Sequence, residues 1–509
     1  MVATFVRVLS FALQGIDAVP VAVEVDVSPG LPGFEVVGLP DAAVREARER
    51  VRAAVRNGGW NFPMQRITVN LAPAHTRKEG AGFDLAIALG VLAAAGCFPP
   101  ERLDGLAVAG ELALDGSLRP VRGGLAMALT CRARGDLTLL LPPASAREAA
   151  AVGDQVLAAG HLSEIVAHLN GGEPLSCPEP SGTAERPVSP ETDLAHVRGQ
   201  LVARRALEVA AAGGHNMLMV GPPGAGKSLL ARCLPSILPP LSAEESLEVS
   251  RIYSVAGALD GGGLMLRRPY RAPHHSASRS ALLGGGNPLR PGEVTLAHRG
   301  VLFLDELPEF RRDVLEGLRQ PLEDGVVRLA RVHGHLLFPT RPMLVAAANP
   351  CPCGYLGDSL RPCTCPTASL HLYRARLSGP LLDRFDLQIF LAPVTYEAYQ
   401  ATGEAEDSAT VRARVNRARQ VQLRRLAGSG ATCNAELSPA QLRRHCRLPA
   451  GGEALMRSAV ERLGLSLRGH DRVLKMARTI ADLAGQDSIA LNHLAEALQY
   501  RGLEQPLCV

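Results

Sequence analysis

The residues from Met219 to Ser228, Met-Val-Gly-Pro-Pro-Gly-Ala-Gly-Lys-Ser, have the composition and spacing to hold a phosphate. Gly221, Pro222, Pro223, Gly224, Ala225, Gly226, Lys227 and Ser228 spell G-x-x-x-x-G-K-S. The glycines let the backbone curl until its N–H groups point inward at an anion, and the helix that follows adds the positive end of its dipole. Lys227 supplies a charge for β- and γ-phosphates, and the Ser228 hydroxyl is a ligand for Mg²⁺. Lys227 is one of three lysines in the chain, with Lys78 and Lys475; arginine carries nearly all the other positive charge. A second stretch, Val301-Leu-Phe-Leu-Asp-Glu306, is an apolar run ending in two carboxylates. Asp305 is suited to hold Mg²⁺ through water, and Glu306 to polarise an attacking water. The chemistry these residues predict is ATP hydrolysis with Mg²⁺.

Cys351-Pro-Cys353 and Cys363-Thr-Cys365 flank a short polar loop. Four thiolates in two close pairs suit tetrahedral Zn²⁺. The C-x-C spacing is less specific than C-x₂-C, so reduced, metal-free cysteines stay open as the alternative. Eleven cysteines in so large an ATP-binding chain point to a reducing cytoplasm rather than disulfides. With 47% apolar and 20% charged residues the composition is that of a globular protein. The net charge of +4 is mild, so any DNA-binding surface must be local. No stretch has the length and purity of a membrane-spanning helix, and Val8–Leu13 reads as a strand, not a signal peptide.

These groups need elements to position them. Met217–Val220 is apolar and leads into the phosphate loop as a strand, with a helix following from Leu229. Ahead of it, 199–212 is a helical stretch. Residues 1–170 form a separate unit: strands at 8–13, 19–27 and 66–71, a helix over 41–56 capped by Asp41, an apolar helix over 83–95, and a hairpin over 106–121 turning at Asp115-Gly116. Residues 171–192, rich in Pro, Ser, Gly and Glu, are a linker. Residues 193–395 form the nucleotide-binding α/β core, and 410–505 a helical region that opens with a strongly basic helix over 411–426.

Several stretches carry resemblances. Met343-Leu-Val-Ala-Ala-Ala-Asn349 matches sensor 1 of AAA+ motors, which implies that Asn349 orients water near the γ-phosphate. Ser378-Gly-Pro-Leu-Leu-Asp-Arg-Phe-Asp386 resembles the arginine-finger segment of the magnesium-chelatase and minichromosome-maintenance branches, which implies that Arg384 reaches a neighbouring subunit's ATP in a ring. The lid segment Leu465-Ser-Leu-Arg-Gly-His-Asp-Arg472 resembles that of magnesium chelatases, where the arginine of S-x-R-G senses ATP; that maps to Arg468, with Arg472 second. The insert over 238–300 and the hairpin over 325–335 resemble the helix-2 insert and pre-sensor-1 hairpin of the same branch. This implies that Arg328 and Arg331, aided by Arg267, Arg268 and Arg271, track DNA phosphates in a pore. A solvated surface hairpin is the competing reading.

The first unit resembles the C-terminal domain of Lon-type proteases, an α+β fold shared with ribosomal protein S5. The family's nucleophilic serine is matched by Gly82, and its lysine by Ala126. A Ser–Lys dyad needs both partners, so the fold is expected without the protease chemistry. As a whole the chain resembles the YifB/ComM family of magnesium-chelatase-like AAA+ proteins. The most specific stretches are Asn70-Leu-Ala-Pro-Ala, Arg271-Ala-Pro-His-His275, Gly300–Phe310 and Asn349-Pro-Cys-Pro-Cys-Gly354. That resemblance implies a bacterial, cytoplasmic, hexameric helicase acting on single-stranded or branched DNA in natural transformation. The alternative is a magnesium-chelatase-type ATPase subunit, or a remodeller acting on a protein partner.

Overall fold

The computed structural model describes residues 5–501 apart from 76, 154, 180–192, 260–262, 287–288, 332–333, 359–360, 378 and 395–405. Most of the expected 171–192 linker therefore lies outside the described residues.

In the first unit, β1 (Phe5–Gln14) and β2 (Asp17–Ser28) form a long antiparallel hairpin. Their alternating valines, Val6 and Val8 against Val21, Val23 and Val25, are buried on one face. With β3 (Gly33–Val37), β4 (Arg66–Ala72), β5 (Leu106–Val108), β6 (Thr138–Leu141) and β7 (Val156–Ala158) they build a seven-stranded mixed sheet in the order β3-β4-β2-β1-β5-β6-β7. Two local expectations need correction. The 41–56 helix is broken at Glu46 into α1 (Ala42–Arg45), capped by Asp41, and α2 (Ala47–Asn57). The 106–121 hairpin shrinks to a two-residue ladder, Glu111–Leu112 against Leu118–Arg119, because Leu106–Val108 is drawn into the main sheet beside β1. An all-apolar triplet gains more by burial on both faces than by pairing in an exposed hairpin. Helix α3 (Asp84–Ala94) is buried along its whole length. Gly82 and Ala126 bring no side-chain heteroatom to the place of a protease dyad, and Ala126 is buried at the start of α4 (Gly124–Arg134).

The core is an all-parallel five-stranded sheet. Its order is β9 (Tyr270–Arg271), β10 (Val301–Leu304), β13 (Met343–Ala348), β8 (Met217–Val220), β14 (Leu387–Phe390). The central strands are buried throughout, as their unbroken apolar runs require in a sheet covered on both faces. Helices α5 (Leu201–Gly213), α6 (Lys227–Ile237), α7 (Ala243–Ala256) and α8 (Arg312–Asp324) surround it. Between α8 and β13 runs an antiparallel hairpin, β11 (Val326–Arg331) against β12 (Gly334–Pro339), whose second strand reaches Pro339, beyond the 325–335 expected. Tyr270–Arg271 corrects the boundary of the insert: it is the edge strand of the core sheet beside β10. In the helical region, α9 (Ser408–Arg425) and α10 (Leu467–Leu483) share one apolar core with α5 and α6.

The first unit is docked on the core through the tip of its long hairpin. Gly15, at φ +65°, lies so close to the β12 backbone that a Cβ there would sit 2.8 Å from the Leu337 carbonyl oxygen. Next to it Ile16 packs into the apolar clusters of the core and of α7, and Asp17 pairs with Arg251 of α7. Glu148 accepts from the Ser254 hydroxyl at 2.9 Å, and the Gly123 N–H donates to the Ser254 carbonyl. The α/β architecture, with a separate α+β unit and a helical lid, is the one expected.

Candidate nucleotide site and its surroundings

Strand register assembles the site. Val220 pairs with Ala348, and Leu304 with Ala346, so β8, β10 and β13 end together on one edge of the sheet. The phosphate loop, Asp305 and Asn349 therefore emerge side by side, at the carboxyl edge where open parallel sheets bind ligands. Gly224 and Gly226 adopt φ of +81° and +88°, which only glycine takes without cost. Pro222 and Ala225 are buried, while Pro223 and Gly224 are exposed.

Lys227 Nζ donates to the carbonyls of Gly221 at 2.6 Å and Pro222 at 2.9 Å, and to Asn349 Oδ1 at 3.1 Å. Burial lowers its pKa, opposed by the charges of Asp305 and Glu306. Ser228 Oγ donates to Asp305 Oδ2 at 2.7 Å. A hydroxyl and a carboxylate converging at that distance are the hard oxygen set that Mg²⁺ takes alongside water and substrate phosphate. Glu306 stands next to Asp305 in the left-handed region, φ +51°, with its N–H on Asp305 Oδ1. Its carboxylate lies 3.2 Å from His275 Nδ1. His275 is packed on His274 and edge-on to Phe310. The Arg271–His275 stretch was singled out in the sequence without a role for His275; the spacing of 31 residues from His275 to Glu306 gives no signal of the contact. Gln200 was missed as well: its amide donates to the carbonyls of Ala225 and Ala392, tying the helix before the loop to the loop itself.

Arg384 and Arg468 sit together on one carboxylate. Arg384 is paired with Glu323 of α8, and Arg468 lies 3.8 Å from the same side chain. The Arg384 hydrogen bond holds the Glu323 carboxyl below its ordinary value. Among the described residues neither arginine has a polar contact to its own phosphate loop, Asp305 or Glu306. Arg472 is turned inward to Asp386, at 3.2 Å, in a cluster with buried His215.

The five arginines expected to face DNA divide. Arg328 is 62% exposed on β11, 4.0 Å from Asp324. Arg331 lies in the same strand, at its inner pair with Gly334, and its side chain is outside the described residues. Arg267 is exposed. Arg268 and Arg271 do not join them. Arg268 donates to Glu245 at 2.7 Å and to the carbonyls of Pro239 and Arg299. Arg271 makes a bidentate pair with Glu293 at 2.6 and 2.7 Å. Both have their charge and donors committed inside the chain. Half of the basic helix's arginines are committed in the same way: Arg414 holds Glu208 and Glu406, Arg419 the carbonyls of Ala211 and Ala212, and Arg425 Asp482, while Arg412, Arg417 and Arg424 are exposed.

The four cysteines after Asn349 come together. Their sulfurs lie within 4.8 Å of one another, with Sγ–Sγ separations of 3.3 Å for Cys351–Cys353, 3.6 Å for Cys353–Cys363 and 3.7 Å for Cys363–Cys351. Tetrahedral zinc with bonds of about 2.3 Å needs sulfurs ~3.8 Å apart, so the set fits that ion with little adjustment. Backbone N–H groups of Cys353 and Leu356 point at Cys365 and Cys351 sulfurs, the outer-sphere support that thiolate ligands use. The Tyr355 N–H holds the Cys353 thiol down to about 6, while burial pushes Cys351 up to about 12. Among the described residues no two cysteines are joined in a disulfide, and no helix is long and apolar enough to cross a membrane.

Three family models match the chain in succession: subunit ChlI of Mg-chelatase over residues 23–145, magnesium chelatase subunit ChlI over 193–399, and its C-terminal region over 405–501. A protein of Mycobacterium tuberculosis is 45% identical over 97% of this chain and 98% of its own length. The protein YifB of Escherichia coli is 42% identical over 97% of each chain. The competence protein ComM of Haemophilus influenzae is 44% identical, again over 97% of each. Likeness of that degree along nearly the full length, with the three family models, establishes that the chain belongs to the YifB/ComM family of magnesium-chelatase-like AAA+ ATPases.

Proposed function

We propose that this protein is a cytoplasmic, hexameric ring motor that hydrolyses ATP to move branches in DNA during natural transformation and recombination. The observation that carries the reading is the hairpin β11–β12. It leaves α8 just beyond Glu323 and is followed by β13, which ends at Ala348, next to Asn349, the residue bonded to Lys227. The chain thus runs from the hairpin that carries Arg328 and Arg331, through Thr340-Arg341-Pro342, into the strand beside the nucleotide's neighbour.

The chemistry follows from the geometry. A phosphate offers Lys227 a charged acceptor in place of the two loop carbonyls, a stronger bond for a half-buried ammonium. Ser228 and Asp305 would hold Mg²⁺, which would supply positive charge against the phosphates. Glu306, swung from His275, takes the proton of the attacking water, and Asn349 orients that water. Arg384 and Arg468, paired on Glu323, serve the next subunit's γ-phosphate in this reading, and the ring completes the site. Arg472, neutralised by Asp386, stays structural. The cysteine knuckle holds Zn²⁺. Guanidinium groups at Arg328 and Arg331, with Arg267, grip phosphates whatever the bases, so DNA binding weakens steeply with salt. The competence role of the Haemophilus relative supports DNA as the substrate.

The test is the double change Arg328→Ala, Arg331→Ala. Basal hydrolysis stays at the wild-type level, because neither side chain is assigned to the nucleotide, while strand displacement on a forked duplex is lost. Unwinding at the wild-type rate would remove the hairpin as the DNA contact.

A further inference from the structure

The cysteine knuckle is in contact with both halves of the nucleotide machinery. Cys351 follows Asn349 by two residues and is fully buried. At the apex, Gly354 turns at φ +87° and closes on Pro223 of the phosphate loop, so that a Cβ on Gly354 would stand 2.6 Å from Pro223 Cδ and 2.8 Å from its Cγ. The Gly354 N–H donates to the Cys351 carbonyl at 3.0 Å, and the Leu356 N–H to Cys351 Sγ, which fixes that apex to the first cysteine. Beyond Cys365 the chain enters the helix Thr367–Ala375. Its Tyr373, 8% exposed, returns to the backbone of Asn349. The segment thus starts beside Asn349, touches the phosphate loop at its tip, and comes back to Asn349. Lys227 closes the circuit from the other side through the Pro222 carbonyl and Asn349 Oδ1.

We infer that metal held by Cys351, Cys353, Cys363 and Cys365 is the brace that holds the phosphate loop and Asn349 in register, so that metal occupancy sets nucleotide affinity. The inference rests on the zinc reading of the cluster and extends it. The described residues between Cys351 and Pro366 form turns and bends with no helix or strand, so ordering this segment needs a constraint from elsewhere. Four metal–sulfur bonds supply that constraint. Released from them, Gly354 is free to leave Pro223, and the loop carbonyls that now take the Lys227 ammonium lose their fixed position. The cost falls on ATP binding rather than on DNA contact, since the sulfur hydrogen bonds of the four clustered cysteines among the described residues are to one another and to their own loop, Leu356 included, not to the β11–β12 hairpin.

Zinc content of the full-length protein is measured by elemental analysis. Affinity for a fluorescent ATP analogue is then titrated on the same protein as purified, after removal of zinc with a zinc-selective chelator, and after Zn²⁺ is restored, with Mg²⁺ kept in excess throughout. One zinc per chain is expected. Stripping should weaken nucleotide binding about tenfold, the loss of roughly one charge-assisted hydrogen bond, and added Zn²⁺ should recover it. Gly354→Ala provides a second arm that leaves all four ligands in place. It should keep its zinc and still bind the analogue about tenfold more weakly, because its Cβ displaces Pro223. Absence of zinc with all thiols free would overturn the metal reading and the inference with it. One zinc per chain, with affinity unchanged within twofold on stripping and in Gly354→Ala, would overturn the inference and leave the metal site standing.

Discussion

Replacing Glu306 by glutamine removes one function from the site and leaves the rest. Glutamine has the same length, keeps an acceptor oxygen for His275, and takes the same backbone conformation at φ +51°. It leaves Ser228 Oγ on Asp305 Oδ2 and the three bonds of Lys227 undisturbed, so Mg²⁺ and phosphate binding should persist. What is lost is the carboxylate that accepts a proton from water. A positioned general base contributes about 10²–10⁴ in rate, or ~3–5 kcal/mol of barrier at 1.36 kcal/mol per decade. Phosphate release at saturating Mg-ATP should fall by that factor, while the dissociation constant of a fluorescent analogue stays within about twofold. Two results would refute the reasoning in different ways. A turnover within threefold of wild type means that another group activates the water. A collapse of nucleotide binding together with rate means that Glu306 is part of the binding site.

Two other expectations follow from the same coordinates. Rings mixed one to one from Arg384→Ala and Glu306→Gln subunits, each nearly inactive alone, should recover hydrolysis to roughly a quarter of wild type, since one ordered neighbour pair in four joins an intact finger to an intact Glu306; mixed rings with no recovery would count against a site shared between subunits. His298 is 2% exposed, accepts from the Arg341 N–H at Nδ1 and faces Glu248 with Nε2, with Arg299 alongside, and burial lowers its pKa. With the folded value below the unfolded one of about 6.5, the unfolded chain binds the proton first. Stability is therefore level above that pH and falls as pH drops below it. His298→Gln should flatten this part of the thermal midpoint profile between about pH 7 and 5, and an unchanged slope would show that His298 does not titrate.

The clustering of the proposed nucleotide-site residues was legible in the sequence because the parts of the site are local. A strand, a glycine-rich turn and a helix start are written in consecutive residues, and parallel strands that end together bring Asp305 and Asn349 to Lys227 without further information. Charge was the harder matter. Arg268 and Arg271 look like a basic patch in the sequence, yet Glu245 and Glu293, more than twenty residues away, absorb them. Three arginines of the basic helix are likewise taken by Glu208, Asp482 and helix-end carbonyls. A count of like charges along a chain shows nothing of the carboxylates the fold will place against them. The roles of His275 and Gln200 were invisible for a related reason: each acts through contacts made across the fold. Leu106–Val108 was misread because alternation and continuous apolarity look alike over three residues, and the neighbouring strands decide which one the segment joins.

The central claim, that an ATPase with a complete nucleotide site works on DNA, is tested most directly by ATP hydrolysis of the full-length protein with and without forked DNA, across a range of salt. The account predicts a several-fold stimulation by DNA that fades steeply as salt rises, in parallel with DNA binding. Hydrolysis by assembled rings that is indifferent to DNA at low salt would contradict it.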